Sequence, residues 1–360
     1  MPCAVPSAVP REDAPRDAPW LMHLSYIKPH WPYIAPAPYH DMYGPETFLP
    51  FIRDSRERAD PNPVYAAFMQ MNVSETFSRQ GVRETVLPAY MGLIKQCDDQ
   101  MGRLFAYLDA TDRMKDTMIV LTSDHGDYLG DHWLGEKDLF HECSVKVPLI
   151  IYDPSPEADT TRGTTSDALI EQIDLAATFV DFAGGTVPSH IVEGRSLLPF
   201  LHGQPPQNWR DFAISEYDYS LRPFAKTLVT RSADARLFMV TDGRWKFMHA
   251  EGGFRPMLFD LENDPDEFVD LGESDDHAQV IRLHGKTLTR RWNVGGQATV
   301  AQVRLHARPQ VELRRAFQRQ HHPVVEAHLD HTGSQGERSW WNALAIRWRL
   351  GQVGGPHHAM

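Results

Sequence analysis

Apolar positions in this chain fall into short runs separated by polar stretches, and each run's spacing points to one kind of element. "WLMHLSY" (Trp20–Tyr26) has the length of a strand and stops at Pro29 and Pro32, which predicts a strand followed by a stiff loop over Lys28–Tyr33. Residues 34–63, rich in Pro, Tyr and Asp, read as a long irregular excursion of the kind that is usually functional or mobile. Between Glu84 and Leu108, apolar Leu87, Met91, Ile94, Met101, Leu104 and Leu108 recur at helical spacing. "DTMIVLTSD" (Asp116–Asp124) and "VPLIIYDP" (Val147–Pro154) are apolar without alternation, which suits strands of a parallel sheet covered on both faces. "TSDALIEQIDLAATFVDFAGG" opens on capping residues and closes on Gly184–Gly185, a helix with both stop signals. "RLFMVTDGRWKFMHA" reads as a hairpin turning at Asp242–Gly243, and "PMLFDL" adds a third short strand.

This order predicts an α/β fold, a layered sheet with flanking helices, plus a small C-terminal antiparallel subdomain. The expected organisation is a Pro-rich start over 1–19, an α/β domain over 20–205, an antiparallel β subdomain over 206–284 and a tail over 285–360. The tail is set apart by charge: from Lys286 onward there are 11 Lys/Arg against 4 Asp/Glu in a chain whose net charge is −12. It also holds His-rich and Trp-rich patches ("RQHHPVVEAHLDH", "SWWNALAIRW") and could pack on the acidic body or on a neighbouring subunit, so a homo-oligomer is one expectation.

Composition narrows the function classes. Hydrophobic content of 42% and charged content of 23% over 360 residues are ordinary for a globular protein. No apolar run nears the ~20 residues of a membrane helix, and "MPCAVPSAVPREDAPRDAPW" has neither a basic nor an apolar leader region. Cys3, Cys97 and Cys143 are odd in number and far apart, which suits a reducing cytoplasm. The net negative charge argues against nucleic acid as a partner, and nothing points to a membrane.

Chemistry concentrates in "LTSDHGDYLGDHWLGEK" (Leu121–Lys137). Neighbouring strand residues point to opposite faces, so Asp124 and His125 share a ligand only where the strand ends and the chain turns; Gly126 permits that turn. A carboxylate beside an imidazole at a strand's carboxyl end suits a divalent ion, with Mn²⁺ favoured and Ca²⁺, Zn²⁺ or Mg²⁺ possible. The competing reading is a solvated turn. Lys137, at the end of the glycine-punctuated loop, is placed to stabilise negative charge on a phosphoryl or sulfuryl oxygen, or is a surface lysine. His30, held between prolines in "IKPHWPY", can hydrogen-bond an oxyanion or protonate a leaving group, or is structural. Asp127, Asp131 and His132 read as solvated loop residues. Trp31 and Tyr33 either line the mouth of a site or pack within their loop.

The ordered series "SYIKPHWPYIAPAPYHDMY", "SDHGDYLGDHWLGEK", "VKVPLIIYDP", "EQIDLAATFVDFAGG", "GRSLLPFLHG" and "LFDLENDPDEFVDLG" resembles sulfatase-family hydrolases of the alkaline phosphatase superfamily, in particular the phosphonate monoester hydrolase and phosphodiesterase branch. The resemblance covers about residues 20–275. It implies an alkaline-phosphatase-like α/β fold, a divalent metal, and hydrolysis of a small anionic sulfate ester, phosphonate monoester or phosphodiester through a covalent intermediate. It places Asp124 and His125 as the second pair of metal ligands, and Lys137 and His30 on the transferred group and leaving oxygen. It also implies a nucleophile in a Cys/Ser-x-Pro-x-Arg motif ahead of the "KPH" loop. Cys3, in "PCAVPSAV", does not satisfy that motif, and Asp13 and Asp17 do not match the family's first ligands. The resemblance is therefore to the family's C-terminal part, with weak or no activity expected of the chain alone. The alternatives are a non-catalytic remnant that binds anions or a partner subunit, and another branch of the superfamily.

Overall fold

The computed structural model describes residues 19–44, 47, 49–229 and 231–295, with side chains as far as 288. The Pro-rich start with Cys3, and the tail beyond 295, lie outside the described residues. The chain divides into two compact units: unit 1 takes residues 1–50, 81–114 and 301–360, and unit 2 takes 51–80 and 115–300.

In unit 1 the predicted long helix is α3, Val82–Ala110; α1 (Pro63–Met69) and α2 (Asn72–Ser78) precede it in the chain but belong to unit 2. Leu87, Met101 and Leu108 are buried as the spacing predicts, whereas Met91, Ile94 and Leu104 are only half-buried. The helix buries polar groups as well: Arg83 is enclosed, with its guanidinium on the Leu49 and Pro50 carbonyls. Tyr39 donates to Asp99 at 2.9 Å, and burial together with that carboxylate pushes its hydroxyl up to about 12. Residues 20–26, predicted as a strand, alternate between exposed and half-buried but have no ladder partner among the described residues.

Unit 2 holds two sheets. In the first, β1 (Ile119–Thr122) pairs with β2 (Leu149–Tyr152), Ile119 facing Tyr152 and Thr122 facing Leu149. This pairing is antiparallel, not parallel. The connection, residues 123–148, exceeds the dozen or more residues that a parallel crossover requires, so its length does not decide the direction. Here the chain comes back through an irregular loop and one turn of helix, α4 (Glu142–Val145). The predicted helix after β2 is α5, Ile173–Phe182, and it starts later than its capping signal suggests. Trp209 Nε1 and Arg210 donate to the Leu169 carbonyl, which an earlier helical turn would need for itself. The single turn α6 (Leu198–Leu201) follows.

The second sheet is the antiparallel meander β3 (Ala213–Asp218), β4 (Arg236–Thr241), β5 (Trp245–Ala250) and β6 (Met257–Asp260), in that spatial order. The turn at Asp242–Gly243 falls where the sequence places it, with Gly243 at φ 94°. A short helix, α7 (Ala225–Leu228), lies between β3 and β4. Alternation along the strands sorts the side chains into two cores. Leu237, Met239, Met248, Ala250, Met257 and Phe259 join Val64, Tyr65 and Phe68 of α1 together with Tyr128, Leu134, Leu139 and Phe140. Phe238, Val240, Phe247 and Leu258 form the opposite core with Leu288 of the final helix, α8 (Ala278–Gly295). One face of this sheet is thus the floor on which the loop containing Lys137 rests.

Candidate functional site

The β1 strand delivers Asp124 and His125 to a turn directly after its last paired residue. The turn requires glycine because of proximity, not because of a left-handed backbone. Gly126 N–H donates to the Ser144 carbonyl at 2.7 Å, and a Cβ on Gly126 would meet the Cys143 carbonyl oxygen at 1.9 Å. The Asp124 side chain is 85% exposed and that of His125 32%, so both are open to a ligand. His125 Nδ1–H donates to the Gly126 carbonyl at 2.7 Å, which leaves Nε2 with the lone pair; Nε2 lies 3.5 Å from Asp124 Oδ2. Asp124 Oδ1 accepts from the His125 backbone N–H at 3.0 Å. Metal-binding histidines have this form, one ring nitrogen oriented by a carbonyl and the other aimed at the ion. Two of the four predicted site residues are therefore brought together, and their donor set fits a divalent cation.

Lys137 sits in unit 2 on the loop between Gly126 and α4, its side chain about a quarter exposed and its ammonium 3.9 Å from Glu136. That loop is costly backbone. Leu129, His132, Trp133, Glu136 and Asp138 all have φ between 46° and 101°. Such left-handed non-glycine residues cost of order 1–3 kcal/mol each and persist only where contacts over-determine them. The contacts are present. His132 N–H donates to the Ile52 carbonyl at 2.8 Å, and Ile52 N–H donates to Asp131 Oδ1 at 2.9 Å. Trp133 Nε1 donates to the Asp54 carbonyl at 2.8 Å, and the Arg53 guanidinium is stacked over the Trp133 ring at 4.3 Å. Arg222 pairs with Asp138. Asp131 and His132 are therefore buried anchors and not the solvated residues the sequence suggests; His132 is only 3% exposed. Asp127 folds back on its own loop, accepting from Leu129 N–H at 3.0 Å.

Sequence reasoning missed the groups beneath this loop. His132 Nδ1 lies 2.7 Å from Glu57 Oε1, and the His132 ring is stacked on His141. Behind them, Lys246 of β5 bridges Glu142 at 2.7 Å and Glu267 at 2.8 Å with no exposure of its own. Burial works against the charge on Glu142, but Lys246 outweighs it and holds that carboxyl below its ordinary value; burial pushes Glu267 up. None of these residues shares a motif in the sequence, because the contacts join positions up to 125 apart (Glu142 to Glu267).

His30 belongs to unit 1, half-buried in its loop. Its Nδ1–H donates to the Trp31 carbonyl at 2.8 Å, which fixes the tautomer, and its ring is stacked on Trp31 at 5.8 Å. Lys28 reinforces the loop by donating to the carbonyls of His30 and Pro32. Trp31 is half exposed, while Tyr33 packs edge-on against Tyr90 of α3.

The Sulfatase family profile matches residues 7–185, and the profile for the C-terminal region of N-sulphoglucosamine sulphohydrolase matches 130–293. A multifunctional alkaline phosphatase superfamily protein of Trinickia caryophylli is 33% identical over 280 residues, covering 73% of this chain and 54% of that protein. An arylsulfatase of Clostridium perfringens is 28% identical over 273 residues, covering 76% and 53%. The crystal structure of the phosphonate monoester hydrolase of Agrobacterium radiobacter superposes with a TM-score of 0.69 at 30% identity, covering 76% of this chain and 57% of that one. The chain spans about half the length of the curated relatives it matches. On these matches, the chain belongs to the sulfatase family of the alkaline phosphatase superfamily.

Proposed function

We propose that this chain carries part of the active site of a hydrolase acting on sulfate esters, phosphonate monoesters or phosphodiesters. The observation that supports it most is the Asp124–His125 pair: an exposed carboxylate and a half-exposed imidazole 3.5 Å apart, with the ring oriented by the Gly126 carbonyl. These two side chains would hold a divalent cation, Mn²⁺ by preference given the mixed oxygen and nitrogen donors. When bound, the cation supplies positive charge against the oxygens of the transferred group. Lys137, on its pinned loop, contributes a second positive charge to those oxygens, and the rigid loop spares it reorganisation during reaction. The family resemblance assigns His30, whose Nδ1–H donates to the Trp31 carbonyl, to an oxygen of the substrate or leaving group.

The sequence contains no Cys or Ser followed by x-Pro-x-Arg, so the family's nucleophile has no counterpart here. Without one the covalent step has no acceptor. The residues of this chain are therefore expected to bind metal and anions, with turnover requiring that motif. A cytoplasmic setting and a small anionic ester as ligand belong to the same proposal.

The test is Mn²⁺ titration by calorimetry on the chain and on Asp124→Ala, together with a panel of aryl sulfate, phosphonate and phosphodiester substrates. A loss of Mn²⁺ affinity of tenfold or more in Asp124→Ala is the expected outcome. Equal affinity in both proteins overturns the metal assignment, and robust turnover by the chain alone overturns the missing nucleophile.

A further inference from the structure

Glu57, His132 and His141 bring a carboxylate oxygen and two ring nitrogens within 4.8 Å of one another, the two histidines from the lysine loop itself and the glutamate from residues 51–58. Two histidines and a glutamate form a familiar zinc donor set. The ring geometry argues against an ion. An imidazole nitrogen binds a metal in the plane of its ring, and these rings are 3.8 Å apart and 7° from parallel, so no single ion lies in both planes.

What the cluster does control is protons. His132 Nδ1–H donates to Glu57 Oε1 at 2.7 Å. The His141 backbone N–H donates to the Tyr128 hydroxyl at 3.2 Å, and that hydroxyl lies 3.0 Å from His141 Nδ1. In the Nε2–H tautomer of His141, Nδ1 accepts the Tyr128 O–H. Protonating it removes the partner of the Tyr128 O–H and sets a second cation face to face with His132, the one imidazole that has a carboxylate to balance a charge.

The surrounding groups reinforce the asymmetry. From residues 51–58 comes Glu57, whose other oxygen accepts from Asp54 N–H at 2.7 Å. The α1 helix presents Tyr65, edge-on to His141 at 5.3 Å. The loop itself presents Tyr128, and Asp131 already occupied by Ile52 N–H. The β5 strand presents the Lys246 cation, α4 its partner Glu142, and the segment after β6 the carboxylate of Glu267. Phe259 and Phe268 close the remaining sides. Burial, then the positive charges of His132 and Lys246, hold His141 well below the ordinary histidine value.

We propose that His132 and His141, with Glu57 and Tyr128, form a proton-operated latch that fastens the lysine loop to residues 51–58 while His141 is neutral and releases it when both imidazoles are protonated. The latch stands on this geometry; its effect on turnover rests on the role given to Lys137 above.

Hydrogen-exchange mass spectrometry of the full chain between pH 5 and 8, corrected for intrinsic rates, tests it. Protection of residues 127–141 falls tenfold or more on acidification while β4 and β5 stay protected. His141→Gln, which keeps an acceptor for Tyr128, abolishes that acid response, and His132→Gln loosens the loop even at pH 8. A pH-independent loop, or the same acid response in His141→Gln, overturns the latch. Should that variant fail to fold, histidine ring shifts by NMR in the unaltered chain decide, and a His141 ring that titrates with the exposed histidines overturns it. One zinc per chain, lost in His141→Gln, also overturns it by assigning the cluster to a metal. If the loop opens with acid but lysine-dependent turnover in an active, nucleophile-supplied form does not follow the same pH, the reading of Lys137 fails and the latch stands.

Discussion

Of the two sheets of unit 2, the β1–β2 pair has the more apolar strands and is the less buried. In the meander, β6 is buried along its whole length, and alternate residues of β4 and β5 enter separate cores on the two faces. In the β1–β2 pair no residue is fully buried, and Ile150 is 39% exposed. Ile173, Phe179 and Phe182 of α5 are likewise more than a third exposed. The difference lies in what covers the strands, not in their composition. The meander has α1 and the lysine loop on one side and α8 on the other. Burial is decided by neighbours distant in sequence, and the hydrophobic effect scales with area removed from water, not with apolar residues present.

Lys246→Ala gives the largest effect that probes this contrast. It leaves Glu142 and Glu267 without their shared cation beneath the meander, and breaking a buried pair in this way costs about 3–5 kcal/mol. Urea denaturation of variant and parent measures it, and a loss below about 1 kcal/mol would show that water reaches the site. Next comes a matched pair. Leu237→Ala in β4, fully buried, should cost about 2–5 kcal/mol. Ile150→Ala in β2 should cost about 0.5 kcal/mol or less, as surface substitutions do. Equal losses in the two variants would erase the distinction between the sheets. The smallest effect is electrostatic. Arg244 holds both oxygens of Asp260 at the end of β6, keeping that carboxyl below its ordinary value of 3.8. A depressed carboxylate stabilises the fold fully above 3.8 and loses that contribution as pH falls through its folded value. Arg244→Ala should therefore lower thermal stability slightly at neutral pH and converge with the parent at low pH, flattening the acid limb; an unaltered neutral plateau would show that the pair contributes nothing.

Much of the architecture is legible in the residues. The helix over 82–110 and the turn at Asp242–Gly243 follow from spacing and from turn chemistry, both local properties. The Asp124–His125 pair is legible for the same reason, since adjacent residues at a strand end need only a turn to converge. The direction of the β1–β2 pairing is not legible, because apolar runs carry no record of how the chain returns. Nor are the anchors of the lysine loop. Asp131 and His132 look like solvated polar residues until Ile52 and Glu57, about 75–79 positions earlier, are folded against them. The start of α5 was displaced by another long-range demand, the claim of Trp209 and Arg210 on the Leu169 carbonyl.

The absence of a side chain at Gly126 has a topological outcome. Where its amide meets the Ser144 carbonyl, the chain enters and leaves the intervening segment at a single point, so residues 127–143 form a closed ring tied at its neck. The ring is not slack, because its residues are anchored to Ile52, Asp54, Glu57 and Arg222 along its length. An insertion or deletion within it would break those anchors, so the ammonium group it carries has one position set by the fold and not by the length of the segment.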